Sequence, residues 1–212
     1  MRIAEIFHSI QGEGKLAGVP SVFLRTSGCN LRCTWSDTPQ AFHGGTRMKR
    51  EDVLARALEL DTPLVELTGG EPLLQPGVLP LMRELCDAGK TVLVETSGEA
   101  DVSQVDRRVH KVMDLKCPGS GESHRNRWEN LDHLGTRDEI KFVLAGRDDY
   151  EFMRDTIRTR ALRERTPNLL ASTVFGALAA RDLVRWVLED GLPVRVQLQM
   201  HKYIWPADAQ GV

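Results

Sequence analysis

Residues 64–98, LVELTGGEPLLQPGVLPLMRELCDAGKTVLVETSG, contain the pattern that decides the fold. Two short runs, 64–68 and 91–96, are rich in leucine, valine and threonine and have the composition of buried β-strands. Between them, residues 77–88 have apolar side chains at helical spacing. A strand, a helix and a second strand in this order predict a parallel pair joined by a right-handed crossover.

The same alternation of strands and helices continues through the rest of the chain. The other predicted strands are 20–26, 110–115, 139–145, 168–173 and 194–199, and the other predicted helices are 50–60, 148–163 and 177–190. The chain has 212 residues, fewer than the roughly 250 of a closed eightfold barrel. We therefore predict an α/β fold, a partial, open (β/α) barrel with about six core strands, as a single domain over 1–212. The polar stretch 117–138 is predicted to be a long loop with a short helix.

Polar residues and glycines cluster where the predicted strands end. In parallel β/α folds ligands bind at the carboxyl ends of the strands, so the chemistry is expected in these segments. They are 26–29 (TSGC), 68–71 (TGGE), 95–98 (ETSG), 114–116 (DLK) and 197–199 (QLQ).

Composition and charge argue against two classes of partner. The 28 lysines and arginines are balanced by 30 aspartates and glutamates, and the sequence has no basic stripe of the kind that binds nucleic acid. No apolar run approaches the roughly 18 residues of a membrane span, and the N-terminus lacks a signal-peptide pattern. With four cysteines, two of them four residues apart, we expect a cytoplasmic protein whose reduced thiols bind a metal.

Two of these cysteines follow the strand 20–26 in the pattern Cys29-x3-Cys33-x2-Ser36. Three thiolates at this spacing hold three irons of a [4Fe–4S] cluster and leave the fourth iron open. Two cysteines four residues apart, taken alone, are as compatible with a structural role as with binding of a metal. Ser36 offers a harder and less acidic ligand than a thiolate. Cys86, in a predicted helix, and Cys117, after a different strand, are interpreted as buried or incidental thiols.

The cysteine loop resembles the CxxxCxxC motif of the radical S-adenosylmethionine (SAM) superfamily at every position but the last. TGGEP at 68–72 resembles the GGE motif of that superfamily, in which glycines let the backbone approach SAM and the glutamate pairs with its ammonium group. The resemblance implies a [4Fe–4S] cluster bound at Cys29, Cys33 and Ser36. It implies SAM contacts from Gly69, Gly70, Glu71, Glu95, Ser97, Lys116 and Ser172.

The two ends of the chain narrow the resemblance to one family. EIFHSIQGEG (5–14) and VQLQMHKYIWP (196–206), together with FLRTSGCNLRC, TGGEPLLQ and VETSG, resemble the 7-carboxy-7-deazaguanine synthases over nearly the whole chain. This resemblance implies ring contraction of 6-carboxy-5,6,7,8-tetrahydropterin to 7-carboxy-7-deazaguanine with loss of ammonia, a step toward queuosine and other 7-deazapurines. It also implies Mg²⁺, a homodimer, and an electron donor such as flavodoxin or ferredoxin.

Substrate-binding residues are predicted mainly near the amino terminus. Gln11 and Glu13 offer donor and acceptor groups to the edge of a pterin, and Arg25 offers a fork for its carboxylate. Thr38 matches the magnesium-binding threonine of the family, although Asp37-Thr38-Pro39 is also an ordinary turn sequence. The substrate contacts that the resemblance implies are Ile10, Gln11, Gly12, Glu13, Arg25, Thr68, Thr96, His201 and Pro206, with Lys202 beside them.

Ser36 keeps several interpretations open. The chain is compatible with an engineered or spontaneous variant of an ordinary enzyme, with oxygen ligation of the cluster at Ser36, or with a relative that has lost the radical chemistry. The alternative functions are a cluster-less pterin- or SAM-binding protein, and another small radical SAM enzyme such as an activase that forms a glycyl radical on a partner. The segments at the two chain ends favour a small pterin pocket. Trp186 and Trp205, expected to be exposed, are compatible with a dimer.

Overall fold

The computed structural model describes residues 1–35, 42, 44–206 and 209–212. Its strands are β1 (Arg2–Ile10), β2 (Pro20–Thr26), β3 (Thr46–Arg47), β4 (Leu64–Gly69), β5 (Thr91–Thr96), β6 (His110–Asp114), β7 (Glu139–Leu144), β8 (Leu169–Thr173) and β9 (Arg195–Val196). Its α-helices are α1 (Arg50–Glu59), α2 (Val78–Asp87), α3 (Arg147–Thr159), α4 (Leu162–Arg165), α5 (Ala180–Glu189) and α6 (His201–Ile204).

One sheet joins these strands in the order β3-β1-β2-β4-β5-β6-β7-β8-β9. From β2 to β9 every neighbouring pair is parallel, whereas β1 pairs antiparallel with both β2 and β3. Because β3 and β9 form its two edges, the sheet is open within the described residues. The predicted α/β fold with an open, partial barrel is confirmed, and β2 and β4 to β8 are its six longer parallel strands.

The unit 64–98 folds as its pattern predicts, with β4, α2 and the parallel strand β5 in succession. The face of α2 that packs against the sheet consists of apolar residues at spacings of three and four, which are Val78, Leu81, Met82 and Leu85. Burying a leucine side chain such as Leu81 stabilises the fold by about 2 kcal/mol. This helix and α1 cover one apolar cluster of the core, and α3 to α5 cover a second.

The strands at both edges differ from the prediction. The sequence pattern does not predict β1 or β3, because β1 alternates weakly and Ile3 is its one buried residue. The predicted strand 194–199 is reduced to β9, which pairs with β8 at Arg195 and Val196.

Three further predictions about local structure are corrected. The predicted helix 148–163 is divided into α3 and α4, because Ala161 adopts a left-handed conformation with φ of 47°. The stretch 117–138 contains three 3-10 helices instead of one short helix, Pro118–Ser120, Ser123–Arg125 and Trp128–His133. Trp186 and Trp205 are half-buried, and Trp186 packs against the second apolar cluster.

The inner face of the sheet changes from apolar to charged along its strands. Near the amino ends it carries a small apolar cluster of Leu64, Leu93 and Val112. Because side chains alternate along a strand, the next residues on the same face are Glu66, Glu95 and Asp114. The inner face of the sheet therefore carries ionisable groups toward the carboxyl ends of the strands and apolar side chains toward their amino ends. None of the helices in the described part of the chain is long and apolar enough to cross a membrane.

Candidate active site

A cavity of about 680 Å³ opens at the carboxyl ends of the parallel strands. Most of the predicted site residues line it, which brings segments from both ends of the chain together. These residues are Ile10, Gln11, Gly12, Glu13, Arg25, Cys29, Cys33, Thr68, Gly69, Gly70, Glu95, Thr96, Ser97, Lys116, His201 and Lys202.

Three of the predicted site residues that the structure describes are not part of this lining. Glu71 and Ser172 are buried behind it, and Pro206 is exposed. Ser36 and Thr38 lie outside the described residues. The roles of all the predicted site residues, within the lining and outside it, stay predictions.

The cysteine loop follows β2 and faces the cavity. Cys29 and Cys33 are both half-buried, and burial raises the pKa of both thiols, whereas the nearby Lys116 lowers it to a smaller extent. Binding of a metal to such thiols releases their protons. Cys117 is buried outside the cavity lining and Cys86 lies in α2, as expected of thiols without a ligand role. Among the described residues, no group of three or more histidine, cysteine, aspartate or glutamate side chains is arranged to hold a metal ion.

The segment after β6 forms hydrogen bonds with the backbone of the cysteine loop. The backbone N–H of Arg32 donates to Oε1 of Glu122 at 2.6 Å, and the N–H of Thr34 donates to the carbonyl of Ser120 at 3.1 Å. A further contact comes from the segment after β5, where Asn30 donates its side-chain amide to Glu99. These contacts hold the backbone of the loop that carries Cys29 and Cys33 in place.

The Gly-Gly turn packs directly on the cysteine loop. Gly70 N–H donates to the Thr26 carbonyl at 3.2 Å, and Glu71 N–H donates to the Gly28 carbonyl at 2.8 Å. A Cβ on Gly69 would lie 2.2 Å from the Thr26 carbonyl oxygen, and one on Gly70 would lie 2.2 Å from that of Gly28. Only glycine permits this approach, because either added carbon would clash with backbone atoms.

Glu71 is not among the cavity-lining residues, and its side chain binds the end of β5. It is fully buried, and its oxygens accept hydrogen bonds from Leu73 N–H at 3.0 Å and from the Thr96 hydroxyl at 3.0 Å. They also accept from Ser97, at 2.7 Å from its N–H and 2.6 Å from its hydroxyl. In this arrangement Glu71 connects the glycine turn to the Thr96–Ser97 segment.

Lys116 carries a positive charge beside the thiols. Its Nζ lies 2.7 Å from Oδ2 of Asp114. Burial lowers the pKa of Lys116, but Asp114 and Cys33 outweigh this effect and leave the pKa above its ordinary value. The site therefore has a fixed ammonium group, which suits the carboxylate of an amino-acid ligand.

The opposite wall is built around the loop Gln11–Glu13. The Gln11 side chain accepts from Glu13 N–H at 3.0 Å and donates to Glu66. Gly14 N–H donates to Oε1 of Gln197 at 2.7 Å, which ties the loop to the segment after β9. Arg25 donates its Nε–H to Glu5 at 2.6 Å, so the guanidinium is held at the cavity wall with four further N–H donors.

Among the described residues, four ionisable side chains of the cavity wall are not predicted as site residues, namely Glu5, Glu66, Asp114 and Lys141. Glu66 and Lys141 each interrupt an otherwise apolar strand, in the runs LVELT and EIKFVLA. A single charged residue within a buried strand is the sequence signal that could identify Glu66 and Lys141, because burying a charged side chain without a partner is costly in free energy.

Comparison with known proteins agrees with this geometry. Residues 23–159 match the sequence profile of the Radical SAM superfamily. Over the full length of both chains, the protein is 44% identical to the 7-carboxy-7-deazaguanine synthase of Koribacter versatilis. It is 43% identical to the 7-carboxy-7-deazaguanine synthase of Chlorobaculum tepidum, over all of this chain and 97% of that one. The crystal structure of QueE from Escherichia coli has the same fold, with a TM-score of 0.75 at 24% identity over 92% of this chain and 93% of that one.

Proposed function

The chain belongs to the 7-carboxy-7-deazaguanine synthase family of the radical SAM superfamily, and from this premise we propose its reaction. It converts 6-carboxy-5,6,7,8-tetrahydropterin to 7-carboxy-7-deazaguanine with loss of ammonia, in queuosine and 7-deazapurine biosynthesis. The supporting observation is that one cavity joins the cysteine loop and glycine turn to the Gln11–Glu13 loop and Arg25. A radical source and a small polar substrate would therefore meet in the same space.

The described residues fit a [4Fe–4S] cluster at two of its three protein positions. Cys29 and Cys33 face the cavity beside the glycine turn, with Lys116 close to both thiols. By its place in the sequence, Ser36 takes the third position and supplies oxygen in place of sulfur. Because iron in such clusters prefers thiolate ligands, we expect this exchange to weaken the binding of the cluster.

A bound, reduced cluster together with SAM would supply the radical chemistry, which begins with removal of the C6 hydrogen of the substrate. The residues of the chain bind and orient the two small molecules. Arg25 offers its remaining N–H groups to the substrate carboxylate, and Gln11 and Glu13 face the polar edge of the pterin. Lys116 and the Thr96–Ser97 segment contact SAM.

Several features extend the proposal beyond the reaction itself. Thr38 would hold Mg²⁺, since a hydroxyl is an acceptable hard ligand for this ion, and the ion would orient the substrate carboxylate. The enzyme is a cytoplasmic homodimer of a single radical SAM domain, and flavodoxin or ferredoxin supplies its electron. Each of these features rests on the family.

Anaerobic calorimetry with 6-carboxy-5,6,7,8-tetrahydropterin, in the presence of SAM, tests the assignment of the substrate. We expect the wild-type protein to bind the pterin and Arg25→Ala to weaken binding by about tenfold or more, because a charge-assisted hydrogen bond is lost. Arg50→Ala is the matched control, since Arg50 pairs with Glu84 outside the cavity and its loss should leave binding unchanged. If the wild-type protein did not bind the pterin, the substrate assignment would be wrong and an activase would become the better explanation.

Ser36 supports one other function, a cluster-less relative that binds pterin or SAM without catalysis. Such a protein would bind the pterin or SAM in calorimetry. It would hold no iron after anaerobic reconstitution and would not cleave SAM. Iron content and SAM cleavage therefore distinguish the two functions.

A further inference from the structure

Lys141 is a buried cation on the inner face of β7. Its neighbours Ile140 and Phe142 point to the second apolar cluster, whereas Lys141 lines the cavity and is 7% exposed. An ammonium group at such a depth is costly unless anions compensate it. The partners of Lys141 therefore indicate what it contributes to the site.

Two carboxylates from distant parts of the chain compensate this charge. The Nζ of Lys141 lies 2.8 Å from Oε2 of Glu13 and 3.4 Å from each carboxylate oxygen of Glu95. Glu13 belongs to the loop after β1, on the proposed substrate side, and Glu95 belongs to β5, on the proposed SAM side. Lys141 thus links the two halves of the cavity.

The charges around Lys141 are unequal in number. Burial lowers the pKa of Lys141, but Glu13 and Glu95 outweigh this effect and raise it well above the ordinary value. Burial also raises the pKa of Glu95, and it raises that of Glu66, which accepts a hydrogen bond from Gln11, well above the usual range. Two carboxyl groups, of Glu13 and Glu95, therefore contact the ammonium group of Lys141, and Glu13 has the shorter contact. Glu66 adds a third carboxyl group to this wall of the cavity, where its contact is Gln11.

Glu13 receives the closest contact and several other donors. Gln199 donates its amide to Oε1 of Glu13 at 2.8 Å, and Gln197 donates to Oε2 at 3.3 Å. These two residues follow β9, so Glu13 is held from the carboxyl-terminal segment as well as from β7. Lys141 is charged, whereas Gln197 and Gln199 donate neutral amides, and a charge-assisted hydrogen bond holds a carboxylate more strongly than a neutral one does.

We propose that Lys141 is a positioning residue for the substrate, whose ion pair holds the Glu13 carboxylate in place to accept hydrogen bonds from the N–H groups at the edge of the pterin. This inference rests on the proposed function. It assigns to Lys141 an effect on substrate affinity that acts through Glu13, without contact between Lys141 and the substrate.

A double-mutant cycle on pterin binding tests this inference, with calorimetry on the anaerobically reconstituted protein in the presence of SAM. Lys141→Met removes the charge at similar chain length, and we expect it to raise the Kd for 6-carboxy-5,6,7,8-tetrahydropterin by about tenfold or more. In a Glu13→Gln background the same substitution should change the Kd by less than about twofold, because the two residues act as one unit. Lys141→Arg keeps the cation and should restore most of the affinity.

Lys111→Met is the matched control. Lys111 lies on the adjacent strand β6, is 5% exposed, and pairs with Asp138 at 3.0 Å, but it is not among the residues that line the cavity. A purely structural effect of losing a buried lysine would appear in both variants as a lower melting temperature. A higher Kd should appear in Lys141→Met and not in Lys111→Met.

Unchanged binding in Lys141→Met, or an equally large loss in the Glu13→Gln background, would overturn the inference. Should Lys141→Met not fold, Lys141→Gln takes its place in the cycle, since it keeps a donor but no charge. A wild-type protein that did not bind the pterin would overturn the proposed function instead, so the two failures are distinguishable.

Discussion

Ser36 stands where the cysteine pattern has its third thiolate. We expect Ser36→Cys to raise the iron and sulfide content after anaerobic reconstitution toward about four of each per chain, because thiolate binds these irons better than a hydroxyl does. Chemical iron and sulfide analysis, with electron paramagnetic resonance of the reduced protein, measures the change. Ser103→Cys adds a thiol away from the cavity and should leave the iron content at the wild-type level. Equal iron content in Ser36→Cys and the wild type would show that Ser36 is not a weakened ligand position.

Glu66 makes the stability of the fold depend on pH. Burial raises its pKa well above the ordinary 4.5, so the folded protein keeps Glu66 protonated where the unfolded chain ionises it. Protonated Glu66 therefore contributes fully to the free energy of unfolding when the pH is below the pKa of Glu66 in the unfolded chain. This contribution is lost as the pH rises through the higher pKa of Glu66 in the folded protein. Glu66→Gln cannot ionise and still accepts the hydrogen bond from Gln11.

We therefore expect Glu66→Gln to gain stability relative to the wild type between about pH 5 and about pH 8, by about 1 kcal/mol or more. Urea unfolding at the two pH values measures the difference. Glu59→Gln, at an exposed position of α1, should show no such gain. A difference between Glu66→Gln and the wild type that does not change with pH would contradict a raised pKa at Glu66.

At the scale of elements, the glycine turn depends on Glu71 for its connection to β5. Glu71→Gln keeps one acceptor oxygen and places an amide where donors from Ser97 or Leu73 now point. We expect this to lower the free energy of unfolding by about 1 to 3 kcal/mol, the cost of a buried donor without an acceptor. Urea unfolding at neutral pH measures the loss.

The control for Glu71→Gln is Glu151→Gln, which breaks an exposed ion pair with Arg147 on α3. Such a pair contributes about 0 to 1 kcal/mol. A Glu71→Gln variant that is as stable as the wild type and loses only SAM affinity would contradict the structural role given to Glu71. The carboxylate would then be a SAM ligand, as the GGE resemblance implies.

Elements with strong periodicity are the ones that the sequence predicts well. The ranges of β2 and β5 agree with the predicted strands, and α1 and α2 agree to within a residue at each end. β1 escapes prediction because it is mostly half-exposed, so neither strict alternation nor a continuous apolar run marks it. The division between α3 and α4 depends on one left-handed residue, Ala161, and helical periodicity does not signal such a residue.

At the scale of the whole molecule, motifs predict which segments meet, and packing decides which atoms face the ligands. The cysteine loop, the glycine turn and both chain ends share one cavity, as the resemblance implies. The direction of Glu71 depends on contacts with Thr96 and Ser97, which are distant in sequence, so the GGE motif alone does not reveal it. Lys141 and Glu66 belong to no predicted motif and become recognisable only when the sheet places them on its inner face.

The most direct test of the proposed function is the reaction itself. The reconstituted wild-type protein and its Ser36→Cys variant are incubated anaerobically with SAM, a reductant and 6-carboxy-5,6,7,8-tetrahydropterin, and the products are identified by mass spectrometry. We expect 7-carboxy-7-deazaguanine from both proteins, with faster formation by Ser36→Cys. A Ser36→Cys protein that binds a complete cluster and cleaves SAM, yet leaves the pterin unchanged, would contradict the function proposed for this chain.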